Sequence, residues 1–443
     1  MSALNSATSQ TATPHERPAR KVGRFMKRVA IAIGYLLAFL VAMILCLPVI
    51  LLPISTTVPA WVWIPLGIVD VVLLILLFHL TPAWRGISTS LAGVTLIAIM
   101  AIIASQYFTK TPPITDAQGN PIPGSIATLE KVNLNGSEQW ISSRGRDVNK
   151  PVLLFLAGGP GGSQIVTERR ALAGLEDHFV VVNWEQPGAG KSFDAVDRST
   201  LTPERYVADG IALTEHLRTR FDEEKIYLVG ESWGSALSVW MVQRNPEYFH
   251  AIINTGQMVA FLENDLMCYD FALDLARERG NTQKVEQLTK QGPPPYYGKG
   301  TAMKESAFLM DTFNYMNADP RIADDGFDTF QDLAGSEYGL YDKLNWFRGA
   351  LETIDAVYPQ LWSVDLRQQA TALEVPVYFL LGRYDVNAPP VLAEEYFQLL
   401  KAPRKELIWF DHSGHNPWVT ESDRFEEVII NQVLPETYQE STN

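Results

Sequence analysis

Between residues 29 and 105 the chain holds only two charged side chains, Asp70 and Arg85, and three long apolar runs. The first, VAIAIGYLLAFLVAMILCLPVILLPI (29–54), carries no charge; the second is AWVWIPLGIVDVVLLILLFHL (60–80) and the third ISTSLAGVTLIAIMAIIAS (87–105). About 20 apolar residues in a helix reach across the hydrocarbon of a bilayer. A signal peptide has a shorter apolar core and is not followed by two further runs. The pattern predicts three transmembrane helices within a membrane domain, 29–105, and Trp61, Trp63 and Trp84 near the ends of the second run fit interfacial aromatics.

Charge gives this membrane domain an orientation. The tail, 1–28, holds Arg17, Arg20, Lys21, Arg24, Lys27 and Arg28 against Glu16, so the N-terminus is expected in the cytoplasm. The loop STTVP is uncharged and faces out; Arg85 in the next hairpin fits the inside. Three crossings of the cell membrane then place residues 106–443 outside the cytoplasm. Asp70 lies mid-span and reads either as a proton or ion site or as a hydrogen-bonding contact between helices. The absence of a second charged partner in the other two spans favours the contact. Cys46 and Cys268 are too far apart in character and position to suggest a disulfide, and no metal-type Cys/His spacing occurs.

Residues 106–126, QYFTKTPPITDAQGNPIPGSI, are rich in Pro, Gly and polar residues and are expected to form a linker. The remainder carries a net charge of −19 from residue 110 onward, which argues against a nucleic-acid partner. Strand signals alternate with helical ones. Short strands are expected at 127–134 and 137–143, and buried strands at PVLLFLA (151–157), HFVVVNW (178–184), KIYLVG (225–230) and HAIINTG (250–256). Helices are expected at 202–221, with Thr202 as N-cap and Pro203 in the first turn, and at 233–245. Amphipathic helices then replace strands, at 263–280 and 304–317, until VPVYFLLG (375–382) and KELIWF (405–410). The fold class is α/β: a mostly parallel sheet, 127–256 and 374–443, interrupted by a helical cap, 257–373.

The chemistry gathers at strand ends. Gly230-Glu231-Ser232-Trp233-Gly234 fits G-x-S-x-G and sits between a buried strand and a helix, the setting in which a serine is presented on a sharp turn. A serine hydroxyl needs a base. Of the histidines, His412 and His415 lie in the loop after the last strand, DHSGHN; His415 is preferred because Gly414 lets the loop turn inward. Asp385, just past the penultimate strand in LLGRYDVNAP, is the carboxylate expected to orient it, with Asp411 as rival. AGGPGGS (157–163) follows a buried strand, and the N–H groups of Gly159 and Trp233 are expected to form an oxyanion hole. Such a site needs neither cofactor nor metal. PGAGKS (187–192) looks like the end of a phosphate-binding loop, but the glycine required five residues before Gly190 is Glu185, so a turn is expected instead.

Together, GGPGGS, NWEQPGAGKSF, GESWGS, GRYDVNAP and SGHNPW, in this order, resemble the proline iminopeptidase family of serine aminopeptidases, peptidase family S33. The resemblance covers roughly residues 127–435 and not the three spans. It implies an α/β-hydrolase fold with a helical cap after the sixth strand and the activity of a serine aminopeptidase; joined to the three spans, the chain is expected to be a membrane-anchored serine aminopeptidase releasing N-terminal proline or small residues from short peptides. It departs from the family where Ala157 replaces a His, and where Glu185 and Pro187 replace an Asp and an Arg. The family holds the substrate's amine with acidic cap residues, for which Glu263 is the first candidate here, with Glu305 and Asp311 beside it. An esterase or lipase of the same fold is the main alternative, its partner an ester rather than a peptide. A membrane sensor with an inactive hydrolase domain is a second. Oligomeric state is left open.

Overall fold

The computed structural model of the protein describes residues 16–323 and 328–438, so residues 1–15 of the expected basic tail lie outside the described residues. The chain divides into two compact units at Phe108/Thr109.

The first unit is helical. Helix α1 runs Glu16–Ser55, α2 Ala60–His79 and α3 Ala83–Tyr107, and each is long and apolar enough to cross a membrane. They pack through Ala42, Cys46 and Val94, and Ser90 Oγ donates to the Leu73 carbonyl at 2.6 Å. Asp70 is buried among them, facing Cys46. Most of the large apolar side chains point outward, as a lipid-facing helix requires and a water-facing one does not.

The second unit is built on eight strands: β1 Ile126–Leu134, β2 Ser137–Gly145, β3 Val152–Leu156, β4 Val180–Glu185, β5 Ile226–Glu231, β6 Phe249–Thr255, β7 Val377–Gly382 and β8 Lys405–Phe410. Every one falls within two residues of its sequence expectation. They form one sheet in the order β1-β2-β4-β3-β5-β6-β7-β8. The pairings are antiparallel from β1 to β4 and parallel from β4 to β8.

Alternation along each strand feeds two cores. Leu154, Leu156, Leu228 and Phe379 face one side; Leu153, Phe155, Val229 and Leu380 face the other, where Trp418 and Phe425 cover them. Helix α4 (Ile165–Ala171) follows β3; α5 (Pro203–Phe221) is capped by the Thr202 hydroxyl, which accepts from Arg205 N at 3.1 Å; α6 (Trp233–Arg244) follows β5. Between β6 and β7 come α7 (Phe261–Glu278), α8 (Thr282–Gln291), α9 (Thr301–Asn317), α10 (Thr329–Leu333) and α11 (Leu340–Arg348). Two of these, α7 and α9, match expected helices.

Within the segment expected as a linker, residues 109–112 are fastened down. Lys110 N donates to Ser336 O at 3.0 Å, and Arg144 Nη1 donates to Thr111 Oγ1 at 2.8 Å and to Pro112 O at 2.5 Å.

Candidate active site

Ser232 occupies the turn between β5 and α6 with φ 52° and ψ −118°, a conformation that a side-chain-bearing residue adopts only under constraint. The constraint comes from both neighbours of the turn. Ser232 N donates to Thr255 O on β6 at 3.0 Å, and α6 starts so close to β3 that a Cβ on Gly234 would lie 2.0 Å from Leu156 O. Only a glycine lets the helix approach there, and the approach aims its N-terminal amides at the sheet edge.

His415 lies in the turn after β8 and is 4 % exposed. Its Nδ1 meets Asp385 Oδ2 at 2.8 Å. Asp385 is itself held, its Oδ1 accepting from the amides of Asn387 and Ala388 at 2.8 Å each. A carboxylate pinned by two amides fixes the ring's tautomer, with hydrogen on Nδ1 and the lone pair on Nε2. Ser232 and His415 line one cavity of about 570 Å³. Burial opposes charge on His415, but Asp385, by attraction and by its hydrogen bond, and then Glu231 outweigh it, so the imidazole is held above its ordinary value.

The sequence rivals lie elsewhere. Asp411 is ion-paired with Arg383 at 2.8 Å on the surface, and His412 is exposed, its Nδ1 3.2 Å from Arg321 O.

Gly159 and Trp233 both line a small pocket of about 70 Å³ together with Ser232. The Trp233 indole is buried, and its Nε1 donates to Gln186 Oε1 at 3.0 Å; Gln186 Nε2 donates in turn to Ala157 O at 3.1 Å. Gln186 thereby ties the turn bearing Ser232 to the glycine loop after β3. Gln186 stands in the EQPGAGKS loop, where no local pattern marks it as a functional residue. That loop wraps a carboxylate: Glu185 accepts from Lys191 N (2.8 Å), Tyr338 Oη (3.0 Å) and Ser163 Oγ (3.2 Å). Burial pushes Glu185 up to about 7 despite these donors.

Glu263 is not brought to the site. It sits on the exposed face of α7, bonded to Arg367, and lines neither cavity. Asp311 pairs with Lys284 at 2.9 Å. Glu305 does line the small pocket, opposite Asp265, which sequence reasoning missed. Asp265 Oδ1 accepts from Asn264 Nδ2 and Tyr358 Oη at 3.1 Å each. Neither Glu305 oxygen, nor Asp265 Oδ2, meets a protein donor among the described residues. Burial, and then the facing Asp265, push Glu305 far above the carboxylate range, and burial raises Asp265 as well. Two facing acids without a cation hold a proton between them or accept a positively charged group.

Residues 151–422 match the family model described as alpha/beta hydrolase fold. A probable aminopeptidase, YbaC, of Bacillus subtilis is 27 % identical over 314 residues, covering 70 % of this chain and 97 % of its own. A probable proline iminopeptidase of Leptolyngbya boryana is 26 % identical over 297 residues, covering 62 % and 84 %. Among solved structures, VinJ superposes with a TM-score of 0.51 at 19 % identity over 70 % of this chain and 99 % of its own, a likeness of fold alone.

Proposed function

The chain belongs to the alpha/beta hydrolase fold family, and from that premise we propose that it is a serine hydrolase acting as an aminopeptidase on short peptides with a free amino terminus. Ser232 Oγ attacks the acyl carbon and gives its proton to His415 Nε2; Asp385 steadies the imidazolium that forms. The amides of Trp233 and Gly159 receive the oxyanion. The leaving amine takes the proton from His415, and water releases the acyl group by the same steps in reverse order.

One observation carries the substrate reading. On one side of Ser232 the space is a pocket of about 70 Å³ ending on Asp265 and Glu305; on the other it opens into about 570 Å³. A small first residue fits the closed side, its ammonium against the two carboxylates, while the rest of the peptide leaves through the open side. The two relatives, named a probable aminopeptidase and a probable proline iminopeptidase, agree with this reading. Labelling by a fluorophosphonate, lost in Ser232→Ala, together with turnover of proline and alanine naphthylamides that falls by on the order of 10⁴–10⁶, tests it. Wild-type turnover in Ser232→Ala would end the proposal.

The apolar wall of the larger cavity, Leu309, Met310, Phe313 and Ile322, favours an esterase as the second reading. Faster turnover of acyl esters than of amino-acid naphthylamides would select it. We also propose that the three apolar helices anchor the enzyme in the cell membrane, the basic N-terminal segment inside and the hydrolase unit outside.

A further inference from the structure

The residue between glycine and serine in the turn, Glu231, is used by none of the steps above. Its side chain is 4 % exposed, and its Oε1 lies 3.6 Å from His415 Nε2. Since Asp385 meets the other ring nitrogen at 2.8 Å, the imidazole stands between two carboxylates, one at each nitrogen. The groups around this trio are neutral. Gln164, after β3, donates Nε2 to Glu231 Oε2 at 3.0 Å; the Gly158 amide faces the same carboxyl; Phe313 of α9 stands edge-on to the ring at 6.0 Å. The charged groups acting on Glu231 are His415 and Asp385, and those acting on His415 are Asp385 and Glu231.

We propose that Glu231 is a positioning residue for the serine chemistry: its carboxylate, 3.6 Å from His415 Nε2, holds a proton on that nitrogen by charge, and loss of that proton switches Ser232 on. This rests on the serine-hydrolase reading. In the resting site the proton sits on Nε2, and the lone pair that must accept the Ser232 proton is engaged. When that proton departs to solvent, Nε2 is free beside the Glu231 anion, and the Ser232 proton can move to it as Oγ bonds the acyl carbon. The imidazolium so formed lies between two anions.

Two effects of opposite sense follow. Glu231 delays activation, because an anion beside Nε2 holds the imidazolium to higher pH; it also stabilises the same imidazolium during the reaction. Burial raises Glu231, while the facing His415 charge and then the Gln164 and Gly158 donors favour its anion. The sign is therefore fixed: in wild type the competent form is lost as pH falls through a value above the ordinary histidine range, and without the second anion that limb lies lower.

The test is the pH profile of kcat/KM, and of the fluorophosphonate labelling rate, on the full-length chain in detergent micelles. Glu231→Gln should lower the acid limb by about one pH unit or more, and should lower the high-pH plateau by roughly threefold to tenfold through a less basic imidazole. An acid limb that stays in place while the plateau falls would overturn the proposal, since a merely structural carboxyl would act so. If Glu231→Gln fails to melt cooperatively, Gln164→Leu, which removes the donor to Glu231 Oε2, decides: a smaller downward shift supports the proposal and an unmoved limb overturns it. Ser232→Ala separates the two ideas. Full activity there defeats the serine-hydrolase reading, whereas an inactive Ser232→Ala beside an unmoved Glu231→Gln limb defeats only the role of Glu231.

Discussion

If the small pocket receives an ammonium, replacing Glu305 by Gln should cost free-amine substrates far more than blocked ones. Gln keeps the shape of a side chain lining only about 70 Å³, so packing is held while charge is removed. Asp265 keeps its donors, Asn264 and Tyr358, and remains as one acid against the substrate. What is lost is one of two carboxylate partners of a buried ammonium. Truncating one member of a buried, hydrogen-bonded charge pair costs 2–5 kcal/mol or more; because Gln retains a carbonyl acceptor, about 2–3 kcal/mol is expected, or roughly 30- to 150-fold in kcat/KM. The assay compares proline and alanine naphthylamides with their N-acetylated forms and with a short acyl ester. The free-amine substrates should lose this factor, while the blocked amides and the ester stay within about threefold of wild type, since they bring no ammonium to Glu305. Equal losses on both classes, or no loss on either, would refute the reasoning, because the pocket would then be serving the turn around Ser232 and not the amine.

Two further outcomes are expected. In Gly190→Ala a Cβ would lie 1.9 Å from Glu185 Oε2 at φ 36°, displacing a carboxylate that accepts from Lys191, Tyr338 and Ser163; the hydrolase unit should lose about 3–5 kcal/mol, read as a drop on the order of 5–10 °C in its melting temperature. A reporter that works only in the cytoplasm, fused after Asn443, should be silent, and a working one would reverse the proposed orientation.

Much of this arrangement could be read from the chain because its signals are local. A buried strand is a short apolar run, and a reactive turn is a handful of small residues at its end, so Ser232, Asp385 and His415 could be singled out without knowing what packs above them. The cap was less legible for a geometric reason. Glu263 and Asp265 are two positions apart on α7, which turns them some 200° from each other. Phe261, Asn264, Asp265, Cys268, Tyr269 and Ala272 are the buried face, so Asp265 lies on the apolar stripe and Glu263 off it. That register was present in the sequence, but a carboxylate on a helix is usually solvated, and nothing local announces that another acid, Glu305 on α9, will face it. Gln186 and Glu231 were hidden differently: each stands inside a recognisable loop, and its partner comes from a distant strand end.

The insertion of the cap between β6 and β7 also orders events in time. Val377 must find its place beside Ile252 after a detour through five labelled helices, and closing so long a loop carries an entropic penalty of roughly 4 kcal/mol before any pairing compensates. Synthesis runs from the N-terminus, so the ribosome delivers Ser232 just past the middle of the chain and Asp385 and His415 near its end. A chain that stops short of β7 therefore carries the serine without its partners, and the constellation is complete only after β8 has been laid along the edge of the sheet.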